Sequence, residues 1–414
     1  MTTKTAARVN EQRQWDRLMA MARIGAIPGN GVNRACLTEL DRQARRLLIG
    51  WAKEIGVTVS VDAAANLWLR REGSESGATA VVTGSHMDTQ PNGGRFDGIY
   101  GVIAGLEALT ALHDAGATPR RPMEVVAWTN EEGGRFAPGC MGSMAWSSFR
   151  GLEEFADVLD PDGIRFGDAL AAHLTAEADL PHRALGSEPH AYVEAHIEQG
   201  PRLEAEQQDI GVVTGIQGSR WFTVTLTGDT AHAGTTPLAL RRDAVQDMLR
   251  AISALNVLMH DPHDVLRFTV GRIAVEPNTS NSVANRASFT IDFRHPEKTV
   301  LLARGDAVAG VVQAVVRDCS VTVQETFHAL PVEFSPLVID AVEAAATRQR
   351  YRQLRLPSGA FHDAQFVVPV CPTGMIFVPC HKGISHNPAE FSEPGQLAAG
   401  TQVLTQALLD LANG

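Results

Sequence analysis

The sequence predicts an α/β protein of two domains, one inserted into the other. Its 414 residues exceed what one hydrophobic core usually supports. Strand-like and helix-like patterns alternate over residues 66–128, which indicates a mainly parallel central sheet. Beyond residue 211 the order changes to βαββαβ, which is typical of a ferredoxin-like sandwich. We therefore expect one domain at residues 1–212 and 330–414, interrupted by a second at residues 213–329.

The elements of the first domain follow from the spacing of its apolar residues. Helical spacing covers residues 11–24 and 37–55, and strand patterns cover residues 66–70 and 80–83. A helix is predicted over residues 99–112 and a strand over residues 123–128. Polar motifs follow the strands directly. Open α/β sheets bind their ligands at that edge.

The inserted domain has a different alternation. The predicted order is a strand, a helix, two strands, a helix and a final strand, at residues 221–227, 241–259, 266–275, 287–293, 297–317 and 321–327. Because metal-type residues resume after it, at His386, this domain interrupts the first one.

Composition excludes several classes of function. The chain is 44% hydrophobic and 20% charged, as in ordinary globular proteins. A net charge of -11 disfavours nucleic acid as a partner, since phosphate binding needs a basic surface. No apolar run approaches membrane-spanning length, and residues 1–10 have no apolar core, so we expect neither membrane partner nor signal peptide. The five cysteines lack CxxC spacing, which favours a reducing cytoplasm.

Short motifs distributed along the chain supply histidine, aspartate and glutamate. They are residues 84–89 (GSHMDT), 94–98 (GRFDG), 129–133 (TNEEG), 194–200 (EAHIEQG), 231–234 (AHAG) and 383–387 (GISHN). Alone, Asp97 can be read as a helix cap and the Glu131-Glu132 pair as favourable charge at a helix start. Together the motifs predict a site for zinc, manganese, cobalt or nickel, with one glutamate as ligand and the other as general base.

Two of these segments resemble a known family. Residues 194–201 (EAHIEQGP) and 130–136 (NEEGGRF) are similar to the hydantoinase/carbamoylase amidases, a branch of the M20 metallopeptidase-like superfamily. Peptidase relatives generally have a carboxylate where His196 stands. The resemblance extends over residues 84–391 and includes the inserted domain, which serves as a lid and dimerisation domain in that family.

The resemblance implies a dinuclear centre with two divalent ions per subunit. It implies that His86, Asp97 and His196 bind the first ion. It implies that Asp97, Glu132 and His386 bind the second, so that Asp97 bridges the two.

The resemblance also implies roles beyond metal binding. Glu131 would be the general base, and Asp88 would orient a histidine ligand through its carboxylate. Gln199 would bind the ureido group, because its amide both donates and accepts. Arg294 and Asn281 would bind the substrate carboxylate, for which a guanidinium is well shaped.

Two further positions complete the predicted site. His232 would stabilise the oxyanion from the neighbouring subunit, which implies a homodimer paired through the inserted domains. Gly359 would line the pocket in residues 357–364 (PSGAFHDA). Relatives usually have a small residue where Phe361 stands, so either the pocket is reshaped or Phe361 packs into the core.

The implied reaction is metal-dependent hydrolysis of a ureido C–N bond, releasing amino acid, carbon dioxide and ammonia from N-carbamoyl-L-amino acids. Allantoate and N-carbamoyl-β-alanine are alternative substrates, because both also combine a carboxylate with a ureido group. A dinuclear aminopeptidase or dipeptidase fits less well, given His196 and Gln199. The intact Glu131 and ligand set count against a binding protein without activity.

Overall fold

The computed structural model describes residues 7–414. Residues 1–6, part of the stretch that predicts no signal peptide, lie outside the described residues. The chain forms two compact units. The first comprises Met1–Thr214 and Glu333–Gly414, and the second comprises Gly215–Val332.

Strands and helices alternate along the chain. The strands are β1 (Ala26–Ile27), β2 (Gly31–Val32), β3 (Thr58–Val61), β4 (Leu67–Arg71), β5 (Val81–His86), β6 (Met123–Trp128), β7 (Ala191–Ile197), β8 (Ile210–Ile216), β9 (Gly218–Thr227), β10 (Ala231–His232), β11 (Arg267–Glu276), β12 (Ser282–Val283), β13 (Arg286–His295), β14 (Ser320–Ala329), β15 (Val332–Glu333), β16 (Gln353–Ser358) and β17 (Thr373–Val378). The α-helices are α1 (Glu11–Ala22), α2 (Glu39–Glu54), α3 (Ile99–Asp114), α4 (Met141–Trp146), α5 (Phe166–Ala176), α6 (Arg202–Ala205), α7 (Ala244–Leu258), α8 (Lys298–Val315), α9 (Pro336–Gln349), α10 (Ala364–Val367) and α11 (Pro394–Asn413).

The large sheet positions the candidate site. Its strand order is β15-β8-β17-β7-β5-β6-β4-β3, with β16 paired to β8. The neighbours β17, β7, β5 and β6 run parallel, whereas β8, β4 and β3 pair antiparallel at the flanks. The predicted α/β class with a mainly parallel central sheet is therefore confirmed.

Helix α3 shows why this sheet is so deeply buried. Every residue from Ile99 to Leu112 is buried, as expected of a helix that is apolar on all sides. It lies against β5 and β7, and α11 packs beside it. The sheet strands are buried on both faces as well, which is typical of parallel strands between helices.

The second unit contains a four-stranded antiparallel sheet in the order β11-β13-β9-β14. The chain order of its main elements is β9, α7, β11, β13, α8, β14. Alternate residues of β13 are buried, including Phe289 and Phe293. They form a core with residues of α7 and α8, such as Leu255 and Val308, so both helices cover one face of the sheet.

Two further features concern the predictions about membrane-spanning segments and about the cysteines. Among the helices of residues 7–414, none combines the length and apolar character that crossing a bilayer requires. All five cysteines carry free thiols, and four of them are buried. The structure thus contains no disulfide between described residues.

Candidate active site

The predicted metal ligands converge at one edge of the large sheet. His86 is the last residue of β5, and His196 is close to the end of β7. Asp97 lies just before α3, Glu132 follows β6, and His386 follows β17. Because β5, β6, β7 and β17 are parallel, their carboxyl ends share an edge, where such sheets bind ligands.

Asp97 is at the centre of this group. Its Oδ1 lies 3.2 Å from Nε2 of His196 and 3.7 Å from Nε2 of His86. Its Oδ2 lies 3.3 Å from Nε2 of His386, which is also 3.3 Å from Oε2 of Glu132. Each carboxylate oxygen of Asp97 therefore faces a different set of potential ligands, as a bridging carboxylate would.

The chemistry of these donors fits divalent metal ions. Nδ1 of His86 lies 3.0 Å from the carbonyl of Asp88, and Nδ1 of His196 lies 2.9 Å from the carbonyl of Ile197. A carbonyl only accepts, so each Nδ1–H donates, and Nε2 of each ring is the nitrogen that can bind a metal ion once it is deprotonated. His86, Asp97 and His196 can hold one ion, with ligand atoms within 4.8 Å of one another. Asp97, Glu132 and His386 can hold a second ion, since their ligand atoms also lie within 4.8 Å of one another.

Asp88 acts differently from the prediction that its carboxylate orients His86. The carboxylate Oδ1 is 3.8 Å from Nδ1 of His86, beyond hydrogen-bond distance. The carboxylate instead accepts the backbone N–H groups of Glu131 and Glu132, each at 3.2 Å. Asp88 thus holds His86 through its backbone and the two glutamates through its side chain.

Glu131 is placed to accept a proton beside the ligands. Its Oε2 lies 3.4 Å from Nε2 of His86, and its Oε1 lies 3.6 Å from Sγ of Cys140. Burial, reinforced by the negative charges of Asp363 and Glu132, raises the pKa of Glu131 well above its usual range. A carboxylate with a raised pKa is suited to act as a general base near neutral pH.

The charge on each ligand side chain depends on the charges of its neighbours. Burial alone would raise the pKa of Asp97, but its hydrogen bonds with His196 and His386 hold that pKa well below its usual range. Burial opposes charge on His196, yet Asp97 raises the pKa of this imidazole to about 9. Hydrogen bonds with Asp97 and Glu132 raise the pKa of His386 to about 10. Without metal, protons on the imidazoles therefore balance the buried carboxylates.

Gln199 forms a hydrogen bond with the carboxylate of Asp97. Its Nε2 donates to Oδ2 of Asp97 at 3.0 Å and to Oγ of Ser385 at 3.1 Å. Its Oε1 is buried and has no hydrogen-bond partner among the described residues. Gln199 thus offers a buried acceptor beside Asp97, a position compatible with the predicted binding of a ureido N–H.

The loop between β16 and α10 lines the same region. The His362 ring lies 4.5 Å from the ring of His196, and its Nε2 is 2.9 Å from Oγ of Ser358. Burial lowers the pKa of His362 well below its usual value, so the ring is neutral. Gly359 belongs to this loop and is exposed, and Phe361 is half-buried.

Glu194 is a buried carboxylate that belongs to a quoted motif but was given no predicted role. It belongs with His196 and His362 to a third set of possible ligands. However, its oxygens accept hydrogen bonds from Ser85, Tyr192 and the backbone of Ala364, which indicates a structural role. A glutamate in the middle of a fully buried strand is the signal that identifies it.

The remaining predicted substrate residues lie in the second unit. Nδ1 of His232 accepts the N–H of Gly234 at 3.0 Å, so Nε2 carries the proton and can donate. Asn281 accepts the N–H of Ala233 through its backbone carbonyl at 3.0 Å, close to His232. The guanidinium of Arg294 pairs with Asp292 at 2.8 Å. Their contacts with substrate remain predictions.

Comparisons with known proteins identify relatives over almost the whole chain. The sequence profile of Peptidase family M20/M25/M40 matches residues 82–410. An N-carbamoyl-L-amino-acid amidohydrolase of Rhizobium meliloti is 40% identical over 410 residues, covering 98% of this chain and 97% of the relative. An allantoate amidohydrolase of Bacillus subtilis (strain 168) is 32% identical, with 95% of each chain covered. The crystal structure of a hydantoinase/carbamoylase family amidase from Burkholderia multivorans has a TM-score of 0.88 at 43% identity, covering 99% of this chain and 100% of that one.

Proposed function

The chain belongs to peptidase family M20/M25/M40, and we propose that it is a metal-dependent amidohydrolase acting on N-carbamoyl-L-amino acids. Its products would be the amino acid, carbon dioxide and ammonia. The observation that carries the proposal is that His196 and Gln199 both contact Asp97: the imidazole lies beside one carboxylate oxygen, and the amide donates to the other. The Oε1 of Gln199, beside Asp97, can accept a hydrogen bond from an N–H group of a urea. The similarity to amidohydrolases over nearly the full length supports the same conclusion.

His86, Asp97 and His196 would hold one divalent ion. Asp97, Glu132 and His386 would hold the other. When bound, two such ions supply a water of lowered pKa, roughly 7 rather than 15.7, and polarise a carbonyl group. Zinc, manganese, cobalt and nickel all suit this combination of ligands.

The residues of the chain then account for binding and proton transfer. Arg294 and Asn281 bind the substrate carboxylate, and Gln199 accepts an N–H of the ureido group. Glu131 takes a proton from the attacking water and delivers it to the nitrogen that leaves as ammonia. His232 donates its Nε2–H to the oxygen on which negative charge develops. The resulting carbamic acid decomposes to carbon dioxide and the amino acid.

We extend the proposal to the assembly: a homodimer paired through the second units, with His232 completing the site of the partner subunit. Exposed apolar side chains in the second unit, including Leu238 at 80% and Leu240 at 75% exposure, support an interface there. A mixture of two inactive proteins, Glu131→Gln and His232→Ala, tests this arrangement. Activity regained after subunit exchange is expected, because some mixed dimers then contain one complete site. No recovery in verified mixed dimers would contradict it.

Allantoate is the second candidate substrate, since relatives with that specificity are also similar to this chain. Ammonia release should be measured with metal-loaded protein on N-carbamoyl-L-amino acids, N-carbamoyl-β-alanine and allantoate, and dipeptide cleavage should be measured in parallel. The highest kcat/KM is expected for an N-carbamoyl-L-amino acid. A preference for allantoate would change the substrate and keep the chemistry, whereas cleavage of dipeptides alone would refute the amidohydrolase proposal.

A further inference from the structure

Glu390 joins the two loops that carry Asp97 and His386. Its Oε1 accepts the backbone N–H of Phe96 at 2.8 Å and that of Asp97 at 3.1 Å. Its Oε2 lies 3.0 Å from Oγ of Ser385, the residue before His386. The carboxylate of Glu390 therefore contacts both the loop that carries Asp97 and the loop that carries His386.

Ser385 completes this connection. Its Oγ lies 3.0 Å from Oδ2 of Asp97 and 3.0 Å from the carboxylate of Glu390. It also accepts a hydrogen bond from Nε2 of Gln199 at 3.1 Å. A hydroxyl has one proton, so Ser385 donates to one of these two carboxylates at a time and lies between them.

The space around Glu390 is shaped for its carboxylate. A Cβ at Gly94 would lie 2.1 Å from Cδ of Glu390, so a glycine is needed there for the carboxylate to approach. Next to it, Phe96 and Phe391 pack at 6.1 Å between ring centroids. Trp15 contacts both rings, at 5.9 Å and 6.4 Å. The two loops are therefore joined by apolar packing as well as by hydrogen bonds.

Glu390 is not placed as a metal ligand itself. Its side chain is buried at 1% exposure, and both of its oxygens face groups that can donate, two backbone amides and a hydroxyl. A buried carboxylate needs such partners, because burial without them is unfavourable. His386, in contrast, has a 51% exposed side chain, so packing alone does little to fix its position.

We propose that Glu390 is a positioning residue that couples the Asp97 and His386 loops and thereby sets the affinity of the site for its metal ions. Without Glu390, the Asp97 backbone and Ser385 lose their shared partner, and binding metal must first order both loops. Hydrogen-bond partners of ligand residues typically change metal affinity by roughly 10–100-fold. This inference rests on the proposed metal ligands and is independent of the substrate.

Three variants test the role of Glu390. Glu390→Ala removes every contact, while Glu390→Gln keeps one oxygen for the two amides. Asp247→Asn is the matched control: Asp247 is a buried carboxylate in the second unit that accepts the N–H groups of residues 317–319. It lies in a different compact unit from the ligands.

Two measurements on the full-length proteins give independent readouts. Competition with a chromophoric chelator for Mn²⁺ or Zn²⁺ gives the metal affinity. Amide hydrogen exchange of the metal-free proteins reports on the N–H groups of Phe96 and Asp97. We expect Glu390→Ala to lower metal affinity by roughly 10–100-fold and to accelerate exchange at both amides. Glu390→Gln should show a smaller loss, and Asp247→Asn should match the wild type.

Other outcomes would overturn the proposal. Wild-type affinity and exchange in a folded Glu390→Ala protein would do so directly. An equal loss of affinity in Asp247→Asn would show that general destabilisation is responsible. If the alanine variant does not fold, unchanged affinity and exchange in both Glu390→Gln and Ser385→Ala would also refute it. A wild-type protein that binds no metal would refute the metal centre itself, while its amide exchange would still test the coupling of the loops.

Discussion

Replacing Glu131 with glutamine tests whether Glu131 acts as the general base while its neighbour Glu132 binds metal. The carboxylate lies 3.4 Å from His86 and 3.6 Å from the thiol of Cys140, and an amide of the same shape can occupy that space. The substitution also removes a buried negative charge close to Asp363 and Glu132. Stability should therefore not fall, although the side chain can no longer take a proton.

The expected effect on catalysis is large. General acid–base groups typically contribute roughly 10²–10⁴-fold to the rate, which corresponds to about 2.7–5.5 kcal/mol of activation free energy. We expect kcat for the ureido substrate to fall by that factor in Glu131→Gln, with metal content and melting temperature unchanged.

The adjacent glutamate provides a matched control. Glu132 lies 3.3 Å from Nε2 of His386 and accepts two hydrogen bonds from Gln90. Glu132→Gln should lose metal content together with activity, whereas Glu131→Gln should lose activity alone. Ammonia release and elemental analysis on the same samples distinguish the two. Near wild-type kcat in Glu131→Gln, or equal metal loss in both variants, would refute the assignment of the base.

Three further predictions concern pH, stability and substrate binding. In the folded metal-free protein the hydrogen bonds of His386 raise its pKa to about 10, above the value of about 6.5 expected in the unfolded chain. Its contribution to stability is complete below pH ~6.5 and is lost as pH rises through about 10, so the melting temperature of metal-free protein should fall over that range. Glu107 has a fully buried side chain paired with two arginines, and Glu107→Ala should lower the free energy of unfolding by about 3–5 kcal/mol. Asp114→Ala, at a half-exposed pair, should lower it by at most about 1 kcal/mol; equal losses in denaturant titrations would contradict this. Arg294→Gln should raise KM for the ureido acid by roughly 10–100-fold, as expected for a lost charged hydrogen bond, whereas Arg286→Gln, an exposed arginine at the other end of the same strand, should leave KM unchanged.

Local sequence patterns are sufficient to predict much of the fold. Strand β6 has the predicted bounds, and α3 extends the predicted helix by only two residues. The helix predicted from residue 241 begins instead at Ala244, because the side chain of Asp243 caps it by accepting two backbone N–H groups. Strand β17 has no counterpart in the prediction. A short apolar run of this kind does not distinguish a strand from a buried helix.

The candidate site can also be predicted only in part from local sequence patterns. The ligands can be predicted because they belong to recognisable motifs, most of them at or just beyond the end of a strand, and parallel strands bring those motifs together. Glu390 could not be predicted in this way, because it lies outside the recognisable motifs and its bonds to the amides of Phe96 and Asp97 depend on how the loops fold. The role of the Asp88 backbone was missed for a related reason: a motif specifies side chains, while the conformation of the loop decides which of its atoms meets His86.

The most direct test of the central claim is a metal titration of metal-free protein in the presence of an N-carbamoyl-L-amino acid, with ammonia release as the signal. The account predicts no ammonia without metal and a rate that rises until two ions are bound per chain. Ammonia release by the metal-free protein would contradict it. So would a metal-loaded protein that leaves the ureido acid intact while cleaving dipeptides.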